Sequence, residues 1–542
     1  MTPAQARMVA SGPLRSEPTG LRSVRPARPY FLGLTLYALL IAAYIGLRYG
    51  WRWLPGDAAT LTVVSQNTYL QGTVTPTAGL YPLGYGYPAL NAFLAQATGL
   101  PIEALQVYVQ PFLIALLVPV SYVAFRALLG DAAVAALACL LLFLQPDFLF
   151  ESLRGSHAKL TWLLALGMLL ALSNSFRTAG RGWPLVRWVA LFYLLAYGLI
   201  ASNVFFASSY IFGLAFAFLG GRLVTRWLGT QGAAGRSLAR LLYVTLACSV
   251  MVFLFAFYLY PAAERLASSL ITARDRLFSF LLDVETGTDP YQYVQAAWLS
   301  PWLFLALQSL SWLVLALSFA NWLHKAWWLL RRRQGLPPGR LLLWLLYTGL
   351  AFLLAVAVFL DQTGALSANL QVRLFPHLMI VAIPLAAQVV AALVVRVRRR
   401  GPALQGAAAA LMAVAVLFFS AASLFKATNE PMVSNRWLFY SPGERAAVRW
   451  AGPHLAVARV WLGLDSRLLP MLTVSGHWQG TRLVGYAARQ AADGSDLLLS
   501  DVVRMQAARL AVRLPDVRER LRVYDNGGAS LYHTRPRTPY QR

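Results

Sequence analysis

WRWLPGDAATLTVVSQNTYLQGTV (Trp51–Val74) follows the first long apolar run of the chain and carries a single acid, Asp57. The run before it, near 29–50, is long enough to cross the roughly 30 Å hydrocarbon core of a bilayer as a helix. Residues 57–72 have a helical pattern of their own, with Leu61, Val64 and Thr68 near one face. The stretch therefore marks the point where the chain leaves a membrane and starts a polar helix. It places a carboxylate close to the boundary, and the question is what that acid does there.

Outward from this stretch the same alternation repeats. The 542 residues are 58% hydrophobic and only 13% charged, with a mean hydropathy of +0.55. A soluble protein carries about 25% charged residues. Apolar runs fall near 29–50, 105–128, 131–150, 159–175, 186–202, 204–221, 240–262, 298–322, 341–360, 373–395 and 403–424. These predict a polytopic α-helical membrane protein with about 11 spans. The net charge of +26 does not point to nucleic acid, because Lys and Arg sit in short clusters between apolar runs. Cys139 and Cys248 both fall within spans, so disulfides play no part.

The basic clusters set the expected topology. Arg177 and Arg181 precede the 186–221 run with Arg187 at its start, and Arg222, Arg226, Arg236 and Arg240 follow it. Both belong on the cytoplasmic side, so the chain must turn between them, near Ala201-Ser202-Asn203. Residues 1–28 then form a disordered, basic cytoplasmic tail, and the first apolar run is a retained signal anchor. Outer loops are expected at 51–104, 147–158, 263–297 and 361–372, within a membrane domain of 29–425. Of the acids before residue 425, only Glu17 and Asp131 fall on the inner side. Asp57, Glu103, Asp147, Glu151, Glu264, Asp275, Asp283, Glu285, Asp289 and Asp361 all fall outside. Acids are weak topology signals, so chemistry on the outer face is one explanation of this asymmetry. Residues 426–542 change character: YSPGERAAVRW (Tyr440–Trp450) is a capping-box helix start, and RVYDNGGASLYH carries Asn-Gly at a hairpin turn. They predict a small extracytoplasmic α/β domain.

The second outer loop, QPDFLFESLRGSHAK (Gln145–Lys159), is dense in polar groups. Asp147 and Glu151 share a helix face, and Arg154, His157 and Lys159 follow at once. Such a cluster at a membrane boundary is costly and is a functional-site hypothesis by default. The plainer readings are an ion-paired turn, a solvated Asp57, and an Arg373 that snorkels to headgroups.

Together these features resemble the GT-C class of polyprenyl-phosphate-dependent membrane glycosyltransferases, which includes protein O-mannosyltransferases, aminoarabinose transferases and oligosaccharyltransferases. The resemblance lies in the order of parts and covers nearly the whole chain. Gly56-Asp57 opens a long outer loop, and Leu80-Tyr81-Pro82-Leu83-Gly84 and an amphipathic helix near Pro88–Thr98 follow. A polar second loop, further spans and an outer C-terminal domain complete it. The resemblance implies an inverting hexosyl- or pentosyltransferase of a bacterial cell envelope, multi-pass in the cytoplasmic membrane with the N-terminus inside. It implies Asp57 as the catalytic base. Arg154, His157, Lys159 and Arg373 would neutralise the donor phosphate. Asp147 or Glu151 would orient those cations or hold a divalent metal (Mg or Mn). Segment 263–297, with Asp283–Tyr293, would be a lid. The partners expected are a polyprenyl-phosphate sugar donor, a lipid, glycan or protein acceptor and membrane lipids, with no nucleic acid. The O-mannosyltransferase branch carries Asp-Glu where Asp57 is followed by Ala58, which speaks against protein mannosylation. A lipid or sugar transporter or flippase would place charges inside its spans, and a non-catalytic scaffold would keep the fold without the activity.

Overall fold

A computed structural model describes residues 28–74, 84–177, 182–228, 232–255, 271, 275, 301–332, 336, 338–362, 370–434, 437–455, 460–463, 467–468, 471–472, 482–485, 495–518 and 520–533. The tail 1–27, the motif residues Leu80–Leu83 and nearly all of the expected lid, including Asp283–Tyr293, lie outside the described residues.

In lipid every backbone amide needs an internal partner, so uncharged runs of this length fold as helices. Among the described residues, eight helices are long and apolar enough to cross a membrane. They are α1 (Arg28–Tyr49), α4 (Ile102–Leu129), α7 (Ala158–Arg177), α8 (Trp183–Ser202), α9 (Val204–Leu228), α12 (Pro338–Gln362), α13 (Leu370–Arg398) and α14 (Pro402–Thr428). Helices α10 (Gly232–Leu254) and α11 (Pro301–Arg332) stand where two more spans were expected. The turn near 201–203 is present. Helix α8 stops at Ser202, and the Asn203 side chain accepts the Phe206 N–H at 3.0 Å to start α9.

The expected straight span at 131–150 is instead broken. Asp131 caps α5 (Ala132–Phe143), accepting the N–H groups of Ala133 and Val134. After Phe143 the chain bends by 72° into the short α6 (Pro146–Leu153). Pro146 has no N–H to donate, and its ring excludes the carbonyl four residues back, so the first helix cannot run through it. The bend swings Asp147, Glu151 and Arg154 sideways across the end of the bundle.

Two shorter helices cover the same end. Helix α2 (Gly56–Gln71) buries Ala58, Leu61, Thr62 and Ser65, so its inner face is turned from the Leu61–Val64–Thr68 line that the sequence suggests. Helix α3 (Gly86–Thr98) packs on α2 and is too short to span.

The C-terminal domain is the expected α/β unit. Its mixed five-stranded sheet runs β2–β1–β3–β5–β4, from β1 (Val460–Gly463), β2 (Arg482–Gly485), β3 (Ser495–Ser500), β4 (Leu521–Asp525) and β5 (Ala529–His533). Strands β1, β2 and β3 pair in parallel, and β5 runs antiparallel to β3 and β4. Helix α15 (Pro442–His454) opens on the predicted capping box, with Ser441 and Glu444 bonding each other's backbone. It buries Ala447, Val448 and Ala451 against Trp461, Leu498 and Leu531. Helix α16 (Asp501–Arg509) follows β3.

This domain is pinned to the loop after α1. Trp53 and Phe439 form an antiparallel bridge. Leu54 N–H donates to Leu438 at 2.9 Å, and Tyr440 N–H donates to Arg52 at 3.1 Å. Just below, Glu430 accepts from Arg48 Nη2 and Tyr49 Oη, each at 2.5 Å, and from Tyr44 Oη at 3.0 Å, clamping the end of α1 to the end of α14.

Candidate active site

Asp57 is placed by the geometry that precedes it. Gly50 and Trp51 both take positive φ (55° and 61°), which reverses the chain at the top of α1. The Trp51 indole then lies over Gly46, where any Cβ would collide with its ring. The paired segment 52–54 and Pro55 lead straight into α2, with Asp57 in its first turn. A carboxylate there is favoured by the helix dipole.

Arg154, 97 residues later, brings Nη1 to 2.5 Å from Asp57 Oδ2. The Asp57 side chain is 63% exposed and that of Arg154 only 12%, so the acid faces open space while the cation is held from behind. The Arg154 guanidinium lies 4.6 Å from the centroid of the Phe150 ring, itself edge-on to Trp53. The acid of the first loop and the first cation of the second thus meet.

The loop carrying Arg154 is tightly tied. Its carbonyl accepts from Ser156 N–H at 2.8 Å and from Lys159 Nζ at 2.6 Å. Gly155 is pressed against Gln106 so closely that a Cβ would fall on the amide oxygen. That oxygen accepts Tyr87 Oη at 2.8 Å, and Gln110 donates to Asn91 at 3.0 Å. Asn91 donates in turn to the Tyr87 carbonyl. Tyr87, Asn91, Gln106 and Gln110 are all buried, so α3 and the start of α4 form a polar floor under the loop.

The same contacts place the other expected site residues. Lys159 is buried and donates Nζ to the Arg154 carbonyl, which braces the loop. His157 sits on the same turn, but burial and the Arg154 charge lower its pKa to about 3, against the opposing pull of Asp57. It is neutral at neutral pH and brings no positive charge. Asp147 and Glu151 do lie on one short helix, yet they part company. Asp147 pairs with Lys426 of α14 at 3.3 Å, and Glu151 accepts Trp162 Nε1 at 2.9 Å. Each of Asp57, Asp147 and Glu151 already holds a donor. Among the described residues no group of three or more His, Cys, Asp or Glu side chains could hold a metal ion.

Arg373 lies one turn into α13. Buried Asp361, at the end of α12, accepts the N–H groups of Leu370 and Gln371 at 2.9 and 2.7 Å and so caps that helix. Arg373 is exposed, and four residues on His377 packs tilted against Phe206, with ring centroids 3.7 Å apart. Phe206 meets Trp162, the donor to Glu151. Arg373 thus belongs to the same end of the bundle, linked to Glu151 through packed rings, without direct contact with Arg154. The sequence reading missed Gln106, Tyr87, Trp162 and Lys426. The i, i+4 pair Gln106 and Gln110 at the start of a span was a usable signal, since polar groups there need partners.

The structure is similar to that of the Archaeoglobus fulgidus oligosaccharyltransferase in its apo form, with a TM-score of 0.50 at 13% identity, over 89% of this chain and 69% of that one. The archaeal oligosaccharyltransferase AglB from Archaeoglobus fulgidus, in complex with an inhibitory peptide and a dolichol-phosphate, gives 0.49 at 13% identity, over 90% and 69%. ArnT from Cupriavidus metallidurans in the apo state gives 0.45 at 15% identity, over 94% and 98%. No protein-family model matches the chain, and no curated protein matches it. The chain has the GT-C fold, in a multi-pass integral membrane protein.

Proposed function

We propose that this chain is a glycosyltransferase that moves a sugar from a polyprenyl-phosphate donor to a lipid, glycan or protein acceptor on the outer face of the cytoplasmic membrane. The observation that carries the reading is the Asp57–Arg154 pair, which joins an exposed carboxylate to a cation at one end of a GT-C fold. The acceptor hydroxyl or amine attacks the anomeric carbon as the carbon–oxygen bond to phosphate breaks. The electron pair leaves on the phosphate oxygen, the acceptor proton passes to the Asp57 carboxylate, and the anomeric centre inverts.

Arg154 has two roles in this scheme. It holds the Asp57 carboxylate in place in the free enzyme, and it offers charge-assisted hydrogen bonds to the phosphate as negative charge grows there. Arg373 supplies the second cation from α13, and His157 a neutral polar group.

The test is transfer from a labelled polyprenyl-phosphate sugar in nanodiscs. Asp57→Asn keeps the shape and most hydrogen bonding but cannot take the proton. Turnover should fall by roughly 10²-fold or more, with expression and membrane insertion unchanged. A variant that transfers at the wild-type rate removes Asp57 as the base. A wild type that transfers nothing from any such donor leaves the scaffold reading in its place.

A further inference from the structure

A cavity of about 420 Å³ lies between the C-terminal domain and the membrane domain, beside the site but separate from it. None of Asp57, Glu151, Arg154, His157, Lys159 or Arg373 lines it. Its walls come from three places: the reversal after α1 (Trp51, Arg52, Leu54), the start of α4 (Glu103, Val107) and helix α15 of the C-terminal domain (Arg445, Arg449). The charges do not cancel. Arg445 donates to Glu103 at 2.5 Å, which satisfies both. Arg52 and Arg449 have no acidic partner among the described residues, and both face the cavity.

Its height is set by the spans that border it. Helix α1 ends at Tyr49 and α4 begins at Ile102, so the cavity opens where two membrane helices emerge. Trp51 packs edge-on to Tyr108 at 5.7 Å, and Tyr108 is half exposed, the placing of aromatic side chains at headgroup level. Below this level the neighbouring surface is apolar and open, with Leu47 and Leu116 87% and 55% exposed. A groove with apolar flanks below and two uncompensated guanidinium groups above matches an amphiphile whose polar end is anionic.

We propose that this cavity binds the anionic headgroup of a membrane phospholipid, with the acyl chains along Leu47 and Leu116 and the phosphate between Arg52 and Arg449. The proposal does not rest on the transfer reaction. Bound there, the lipid ties α15 to the loop that ends at Asp57 and so steadies the C-terminal domain on the bundle.

The experiment is native mass spectrometry of the full-length protein in detergent, titrated with phosphatidylglycerol or phosphatidylcholine. Wild type should retain one more phosphatidylglycerol than phosphatidylcholine. Arg52→Gln with Arg449→Gln should weaken that retention on the order of tenfold or more, with phosphatidylcholine unchanged. Because Arg52 also borders the Tyr440 contact, Arg449→Glu alone, at an exposed position, provides the second variant and should give the same loss at an unchanged melting temperature. Equal phosphatidylglycerol retention by wild type and both variants overturns the site. Equal retention of phosphatidylcholine by wild type overturns the charge argument. Displacement of the bound lipid by millimolar inorganic phosphate overturns the lipid assignment in favour of a free-anion site.

Discussion

A single methyl group is enough to test how the site is held. Gly155 has no room for a Cβ, because the Gln106 amide oxygen occupies that space and is itself committed to Tyr87. Gly155→Ala should push Gln106 off Tyr87 or displace the Arg154 loop, at a cost of about 1–3 kcal/mol. Denaturant or thermal unfolding in detergent would measure it. Adding Gln106→Ala should recover part of the loss, because the two costs share one contact and are not additive. Full additivity would mean that the two residues do not meet. The contact itself could not be read from the sequence: Gly155 is one of 39 glycines, and the Gln106–Gln110 pair signals only that a partner is needed, not which. Asp57 and Arg154, by contrast, stood out because charges at the edges of spans are scarce.

Between elements, outside the site, a buried carboxyl clamps two spans together at Glu430. This carboxyl is 1% exposed and is gripped by Arg48, Tyr49 and Tyr44. Burial alone would raise its pKa, but the bonds from Arg48, Tyr49 and Tyr44 win and hold it below the ordinary carboxylate value. A depressed folded-state pKa gives stability that is complete above the unfolded value, near 4.5, and is lost as pH falls through the folded value. Glu430→Gln should cost about 2 kcal/mol at neutral pH. It should also flatten the loss of melting temperature below about pH 4.5, read by thermal unfolding of wild type and variant across that range. An unchanged acid profile in the variant would show that other carboxylates govern it. The helices themselves were legible, since length and apolar content are properties of the chain alone. The partners of Glu430 and Asp147 were not, because they lie 382 and 279 residues away. The break before Pro146 was visible as a proline but was outweighed by the apolar residues on both sides.

At the scale of the molecule, the proposed outer-face chemistry needs a definite orientation. The basic clusters give one: a reporter fused after Lys426 should be active only outside the cytoplasm, and one fused within 331–340 only inside. A cytoplasmic signal from the first fusion would put Asp57 on the wrong side for the proposed reaction and reverse the topology.

The bridge between Trp53 and Phe439 also has a consequence in time. Segment 52–54 takes its backbone partners from residues 438–440, so a nascent chain carries the first loop for nearly 400 residues before those partners exist. Until the ribosome has passed them, no lengthening of the bundle can finish the surroundings of Asp57. Residues 438–440 therefore complete a loop made long before them, and a chain cut short ahead of them leaves segment 52–54 without those backbone partners.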